Sequence, residues 1–237
     1  MSQQPSRIDV VIPVYNEAKT IEAVLRKVQA EPLVARIILV NDGSTDGTET
    51  IAARVDREDH RLLCLHHRVN QGKGACLRTG FAHVQSPIVV VQDADLEYNP
   101  ASYSELVAPI IADVADAVYG SRFLGSNPRR GLYFWHSTFN KVLTTFSNIT
   151  TGLTLTDIET GAKAFRRDIL EKITIEEDRF GFEPEITAKL ARIGARIYEI
   201  GVSYYGRTYE EGKKVAWRDG VDAFWCVFKY WMRRGKC

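Results

Sequence analysis

Two hydrophobic periods alternate along the first half of the chain. Ile8–Val14 is a short β-branched run, and Glu17–Ala30 places Ile21, Val24, Leu25 and Val28 at helical spacing. Arg36–Val40 reads as a second buried strand stopped by Asn41-Asp42-Gly43, after which Thr45 or Asp46 can cap a helix running to about Val55. The alternation continues with a strand over Leu62–His66, a helix over Gly74–Val84, a strand over Ile88–Val91 that ends at Asp93, a helix over Ala101–Asp113 and a strand over Ala115–Tyr119. Strand and helix in turn, joined by short connections, predict an α/β fold: a mostly parallel open sheet flanked by helices.

After residue 120 the pattern changes. Gly125–Arg130 is a loop, Leu132–Ile149 an aromatic-rich helix, Ala162–Phe165 a strand, Pro184–Ile193 a helix and Arg196–Val202 a strand. Tyr204–Lys214 is a basic, aromatic loop, and Asp219–Arg234 is an amphipathic helix. No linker-like stretch divides the two patterns. The expectation is therefore one domain over residues 1–237, with a C-terminal helical elaboration.

Composition narrows the class. Hydrophobic residues are 45% and charged residues 26% of 237, ordinary globular usage that excludes global disorder. Net charge is only +1, but residues 1–118 hold 11 Lys and Arg against 16 Asp and Glu, and residues 119–237 hold 20 against 14. An acidic half beside a basic half suggests two tasks. Cys64, Cys76, Cys226 and Cys237 show no metal spacing, which points to a reduced, cytoplasmic protein. MSQQPSRIDV leads directly into the first strand without a signal-peptide pattern, and no apolar run reaches the ~20 residues that span a bilayer.

Open parallel sheets bind ligands beyond the carboxyl ends of their strands. Polar residues gather there: Tyr15-Asn16-Glu17, Asn41-Asp42-Gly43-Ser44 and Asp93-Ala94-Asp95. Residues i and i+2 of an extended strand share a face, so Asp93 and Asp95 can approach one cation if the strand continues, with Glu97 as a third carboxylate. Hard oxygen ligands suit Mg2+ or Mn2+. A phosphate-cradling GxxxxGK[ST] loop and a GxGxxG are both absent, so phosphates would be held by the cation and basic side chains. Gln71-Gly72-Lys73-Gly74 offers a close-approach loop that opens a helix.

The segments VIPVYNE (11–17), NDGSTDGT (41–48), NQGKGACLRTG (70–80), DADLE (93–97) and GSRF (120–123) resemble, in order and spacing, the family 2 glycosyltransferases of GT-A fold. The resemblance implies a nucleotide-diphosphate sugar donor, with UDP or GDP as the nucleotide, and Mg2+ or Mn2+. By position it assigns Pro13, Tyr15, Glu17, Asp42 and Lys73 to the nucleotide site and Asp93 and Asp95 to metal and diphosphate. Residues 8–120 then form the donor half and 121–237 the acceptor half. Asp157-Ile-Glu-Thr-Gly-Ala-Lys-Ala-Phe-Arg166 resembles a segment of the dolichol-phosphate mannose synthase-like group, with Thr160 and Lys163 departing from its pattern. Tyr204–Arg207 with Glu211–Lys214 resembles that group's late basic element, with one residue added and Lys213 in place of Ser. These matches imply inverting transfer of a hexose to a polyprenyl phosphate.

A lipid phosphate is already an anionic nucleophile and needs cations more than a base. Arg122, Arg207 and Lys213 are the expected catalytic cations beside Asp95, with Arg130 as a further candidate. Asp157 or Glu159 would serve as base for the alternative, a sugar or glycolipid hydroxyl; Glu159 could instead anchor an arginine. A non-catalytic nucleotide-sugar-binding module is a further alternative. Val221, Phe224, Trp225, Phe228 and Met232 share a face of the last helix, and residues 129–146 mix aromatic and basic side chains. That composition fits either core packing or an interfacial helix at a membrane surface. The latter places the protein peripherally on the inner face of the membrane. Nucleic acid is not an expected partner.

Overall fold

The computed structural model describes residues 7–125, 128, 130–131, 133–208 and 217–233. β1 (Ile8–Val14), β2 (Val34–Asn41), β3 (Leu62–His66), β4 (Ile88–Val91), β5 (Ala117–Ser121), β6 (Lys163–Arg166) and β7 (Ile197–Gly201) form one sheet in the order β3-β2-β1-β4-β6-β5-β7. β6 alone runs antiparallel to its neighbours β4 and β5. This is the mostly parallel open α/β sheet that the periodicity predicts.

Alternation in β1 explains the two layers. Ile8, Val10, Ile12 and Val14 face the side covered by α1 (Ile21–Ala30), α2 (Thr48–Asp56) and α4 (Tyr103–Ile111). Val11, with Val89 and Val91 of β4, faces the side covered by α3 (Lys73–Phe81), α5 (Phe134–Thr151), α7 (Phe182–Arg192) and α8 (Trp217–Met232). Both faces are apolar because both are buried.

Several boundaries move for local reasons. α1 starts at Ile21 because residues 18–20 form a turn whose amides close on Glu17, with Thr20 N 3.0 Å and Ile21 N 2.9 Å from its carbonyl. α2 starts at Thr48, after Gly47 adopts φ +92°, and Asp46 accepts a hydrogen bond from Thr48 N at 3.1 Å. The segment 101–113 divides into a 3-10 turn, Pro100–Ser102, and α4.

The antiparallel strand matters for function. Parallel strands end at one rim, where β1, β2, β4, β5 and β7 deliver the residues that follow them. β6 begins at that same rim, so residues 157–162, which precede it, arrive there as well. β3 leads into the loop before α3, which brings Lys73 to the edge of the cleft.

Candidate active site

A cleft of about 620 Å³ opens at this rim. It gathers Pro13 near the end of β1, Tyr15 and Glu17 after it, Asp42 after β2, Lys73 at the start of α3, and Asp93, Asp95 and Glu97 after β4. Arg122, Glu159 and Arg207 complete the opposite side. Asp157 and Lys163 lie behind this lining, and Lys213 falls outside the described residues.

Asp93, Asp95 and Glu97 are not arranged by strand alternation. β4 stops at Val91, Ala94 and Asp95 sit in a turn, and Leu96 adopts φ +63°. A basic side chain holds each carboxylate instead. Lys73 Nζ lies 2.9 Å from Asp93 Oδ1, and Arg207 Nη2 lies 3.1 Å from Asp95 Oδ2. The Arg207 amide donates to Glu97 Oε1 at 2.8 Å, and its guanidinium forks onto Glu17 at 3.0 and 3.1 Å. Among the described residues, the group of three His, Cys, Asp or Glu side chains with ligand atoms within 4.8 Å of one another is Asp42, His67 and Cys76. The expected set Asp93, Asp95 and Glu97 is therefore not a ready three-ligand cage, because Glu97 is turned toward the Arg207 amide and the Tyr204 hydroxyl, which donates at 2.7 Å.

The donor chemistry still fits a hard divalent cation at Asp93 and Asp95. Burial, with Asp93 and Glu97 nearby, pushes the Asp95 carboxyl up to about 7. A cation there would relieve that repulsion. Gly161 shields the pair from the far side: a Cβ at this position would lie 1.8 Å from Asp93 Oδ2, so only glycine leaves the carboxylate in place.

Asp42 organises a loop. Its carboxylate accepts from Gln71 N at 2.9 Å, Gly72 N at 2.7 Å and His67 Nδ1 at 2.7 Å. Gly72, at φ +108°, and Gly74 pass so close to residues 177–179 that a Cβ would meet backbone oxygens at 2.4 and 2.0 Å. These contacts fix the start of α3 and hence Lys73. Burial opposes the Lys73 charge, but Asp93 and Glu183 outweigh it and raise its pKa well above the ordinary value.

Asp157 is the anchor of Arg122. It is 0% exposed and takes two 2.7 Å contacts from the guanidinium, a 3.0 Å bond from the Arg122 amide and a 2.9 Å bond from Asn140 Nδ2. Burial works against its charge, yet Arg122 holds the carboxyl below its ordinary value. As a buried, fully bonded ion it is poorly placed to take a proton, so the arginine-anchoring role considered for Glu159 falls to Asp157. The Arg122 guanidinium also sits 5.3 Å from the Tyr204 ring centroid. Lys163 turns inward; its ammonium donates to the carbonyls of Ile158, at 2.9 Å, and Thr160, and burial pushes it down to about 8.

Glu183 was not singled out by sequence reasoning. It lies on the first turn of α7, 2% exposed, with Oε1 2.9 Å from Lys73 Nζ. Its only signal is an acid in GFEPE, which equally reads as an ordinary helix start. Asn140 and Tyr98 also escaped notice, since nothing local marks them, and Gly161 was noted only as part of the 157–166 segment.

The fold aligns with the crystal structure of glucosyl-3-phosphoglycerate synthase from Mycobacterium tuberculosis, in complex with Mn2+, uridine diphosphate and phosphoglyceric acid. The TM-score is 0.75 at 21% identity, over 97% of this chain and 78% of that one. The architecture is thus the GT-A fold. Residues 9–174 match the model of glycosyl transferase family 2, and the chain belongs to that family. It is 30% identical to an undecaprenyl-phosphate mannosyltransferase of Micrococcus luteus, over 87% of either chain. It is 28% identical to a polyprenol monophosphomannose synthase of Mycolicibacterium smegmatis, over 84% of this chain and 77% of that one.

Proposed function

We propose that this enzyme transfers a hexose from a nucleotide-diphosphate sugar to a polyprenyl phosphate, with inversion and with a divalent cation. The observation that carries the reading is a single cleft in which the acids Glu17, Asp93, Asp95 and Glu97 face Arg122 and Arg207. Two anions, donor diphosphate and acceptor phosphate, repel unless cations separate them. Arg forks match phosphate geometry. The names of both polyprenyl-phosphate relatives support the acceptor class.

In this reading one domain divides its labour. The rim after β1, β2 and β4 binds the donor, with Pro13, Tyr15, Glu17 and Asp42 around the nucleoside. Asp93 and Asp95 would hold Mg2+ or Mn2+, which, when bound, neutralises the leaving diphosphate. Arg122 is preorganised by Asp157 and Asn140. Arg207, held on Glu17 and Asp95, would steer the lipid phosphate, whose oxygen attacks the anomeric carbon opposite the leaving group as the bond from that carbon to the nucleoside diphosphate breaks. An anionic nucleophile needs no proton removed, which suits a site whose fully bonded Asp157 is committed to Arg122.

A membrane surface is the second element of the proposal. α5 and α8 pack together through Phe139, Phe146 and Phe224, with ring centroids 5.3 and 6.0 Å apart. The core side of α8 is Ala223, Cys226, Val227 and Tyr230, so the predicted apolar face divides: Phe224 packs inward, while Val221, Trp225, Phe228 and Met232 point outward. Trp225 is 64% exposed and Trp135 of α5 78%. No helix among the described residues is long and apolar enough to cross a membrane. Outward Trp, Phe and Met side chains on helices that also wall the cleft suit peripheral docking where lipid acceptors reside.

The test is a transfer assay over UDP- and GDP-hexoses, with Mn2+ or Mg2+. A short polyprenyl phosphate is compared with the corresponding polyprenol and with soluble sugar acceptors. Product on the phosphate alone is expected. Product on a hydroxyl acceptor, lost in Glu159→Gln and kept in Arg207→Ala, overturns the acceptor assignment.

A further inference from the structure

Two carboxylates that line the cleft each keep one oxygen without a hydrogen-bond partner. Glu183 spends Oε1 on Lys73, while Oε2 is buried with no hydrogen-bond donor among the described residues. Glu159 also lines the cleft, and its buried Oε1 likewise lacks a donor. Leaving such atoms unpaired is costly, and a native site tolerates it where a ligand completes the bonding. Neither residue has a part in the metal and phosphate scheme above.

We infer that Glu183 and Glu159 form the donor-sugar subsite, their unpaired oxygens accepting hydrogen bonds from hydroxyl groups of the hexose. The inference rests on the nucleotide-sugar reading and adds which residues recognise the sugar. Three features favour a neutral polyol over a second cation. Lys73 Nζ already sits 2.9 Å from Glu183, so a further cation would stand beside an ammonium ion. The charges of Lys163 and Arg122 also act on Glu159. Hydroxyl groups supply donors without adding charge.

Lys73 links this subsite to the diphosphate rim, since it bridges Asp93 and Glu183 at 2.9 Å each. The carboxylate that reads the sugar is thereby fixed relative to the acid that faces the leaving group. Glu159 adds versatility. Burial and Glu183 push its carboxyl up to about 8. A carboxyl shifted in this direction can donate to a hydroxyl oxygen as well as accept from a hydroxyl.

Calorimetry on the full chain with Mn2+ decides the matter, using UDP-glucose against UDP and GDP-mannose against GDP. For whichever nucleotide sugar binds, Glu183→Gln is expected to weaken it roughly 10- to 100-fold, the range for a hydrogen bond to a charged group. Affinity for the matching nucleoside diphosphate should fall several-fold less, since Lys73 keeps its contact with Asp93, a split that a merely structural role would not produce. Monodeoxy donor analogues give an independent reading on the wild type and Glu159→Gln, should Glu183→Gln fail to fold by circular dichroism. Deleting one hydroxyl should weaken binding to wild type and cost the matching variant little more. Equal losses for nucleotide and nucleotide sugar, unchanged sugar affinity in folded variants, or fully additive deoxy effects would overturn the subsite. So would Mn2+ binding, measured without nucleotide, that disappears in Glu183→Gln. If wild type binds no nucleotide and no nucleotide sugar, the donor reading itself falls, an outcome distinct from the others.

Discussion

The two walls of the cleft balance their charges in opposite ways. On the β5–β6 wall, Arg122 is neutralised from within by Asp157, which Asn140 also binds, and that carboxylate is sealed from water. On the β1–β4 wall, Glu17, Asp93, Asp95 and Glu97 are neutralised from elsewhere, by Lys73 of α3 and by Arg207 beyond β7. An internally balanced wall is rigid and gains little by exchange. A wall balanced by borrowed cations can trade them for a metal ion and a donor. The contrast separates residues that hold the site from residues that act in it.

Asp95→Asn tests the exchangeable wall most severely. It should lower transfer by on the order of 10³-fold, comparable to removing a principal electrostatic stabiliser, with melting temperature held or raised. Excess chelator should do the same, and added Mn2+ should restore the wild type. A near-normal rate in radiolabelled transfer would detach this wall from the chemistry.

Asp157→Ala breaks the other wall, with the cost expected in stability. Stranding the buried Arg122 should cost roughly 3–5 kcal/mol in urea unfolding. Loss of activity without loss of stability would instead give Asp157 a direct part in the reaction.

Arg207→Ala should reduce kcat/KM for polyprenyl phosphate by about 10²-fold, in line with roughly 1.5–3 kcal/mol for a charge-assisted bond. Nucleotide affinity by calorimetry should stay within a few-fold. Equal loss of nucleotide binding would place Arg207 with the donor.

A smaller effect is expected at the docking face. Replacing Trp135 and Trp225 together by Ser should weaken sedimentation with anionic liposomes roughly 10-fold, since each indole loses apolar contact with lipid. Activity on a short, water-soluble acceptor should persist. Unchanged sedimentation would remove these helices from membrane docking.

The smallest effect is a pH slope. The Glu159 carboxyl rises from an ordinary 4.5 to about 8, chiefly through burial. The folded chain thus keeps a proton over that interval that the unfolded chain has released, and the contribution of Glu159 to stability declines as pH climbs through it. Lys163, lowered to about 8 by burial, brings the opposite slope only above that pH. Relative to wild type, Glu159→Gln should therefore gain a few degrees in melting temperature between pH 5 and 8. A constant difference across that range would show that Glu159 is ionised throughout.

Local pattern carried far in this chain. β1, β3 and β4 occupy the segments predicted for them because β-branched runs bounded by turn residues have few other ways to bury themselves. The strand-end polar clusters pointed to the rim, since in a parallel sheet all such ends meet on one side. The outward face of α8 was not decided by its pattern: apolar residues run around much of the helix, and periodicity alone cannot tell which stripe meets the core.

Residues near in sequence set each other's conformation, so the amino-acid sequence by itself determined the alternation of strands and helices, the rim where the cleft opens, and, Glu183 apart, the acids and arginines that gather there. Which arginine meets which acid was decided only by tertiary structure. Asp157 meets Arg122 because antiparallel β6 enters from the ligand rim beside β5, and Glu183 meets Lys73 because the glycines of the 70–74 loop let α3 press against residues 177–179. These partners are 35 and 110 positions apart. Charge pairing acts through space at about 3 Å and leaves no periodic trace along the chain.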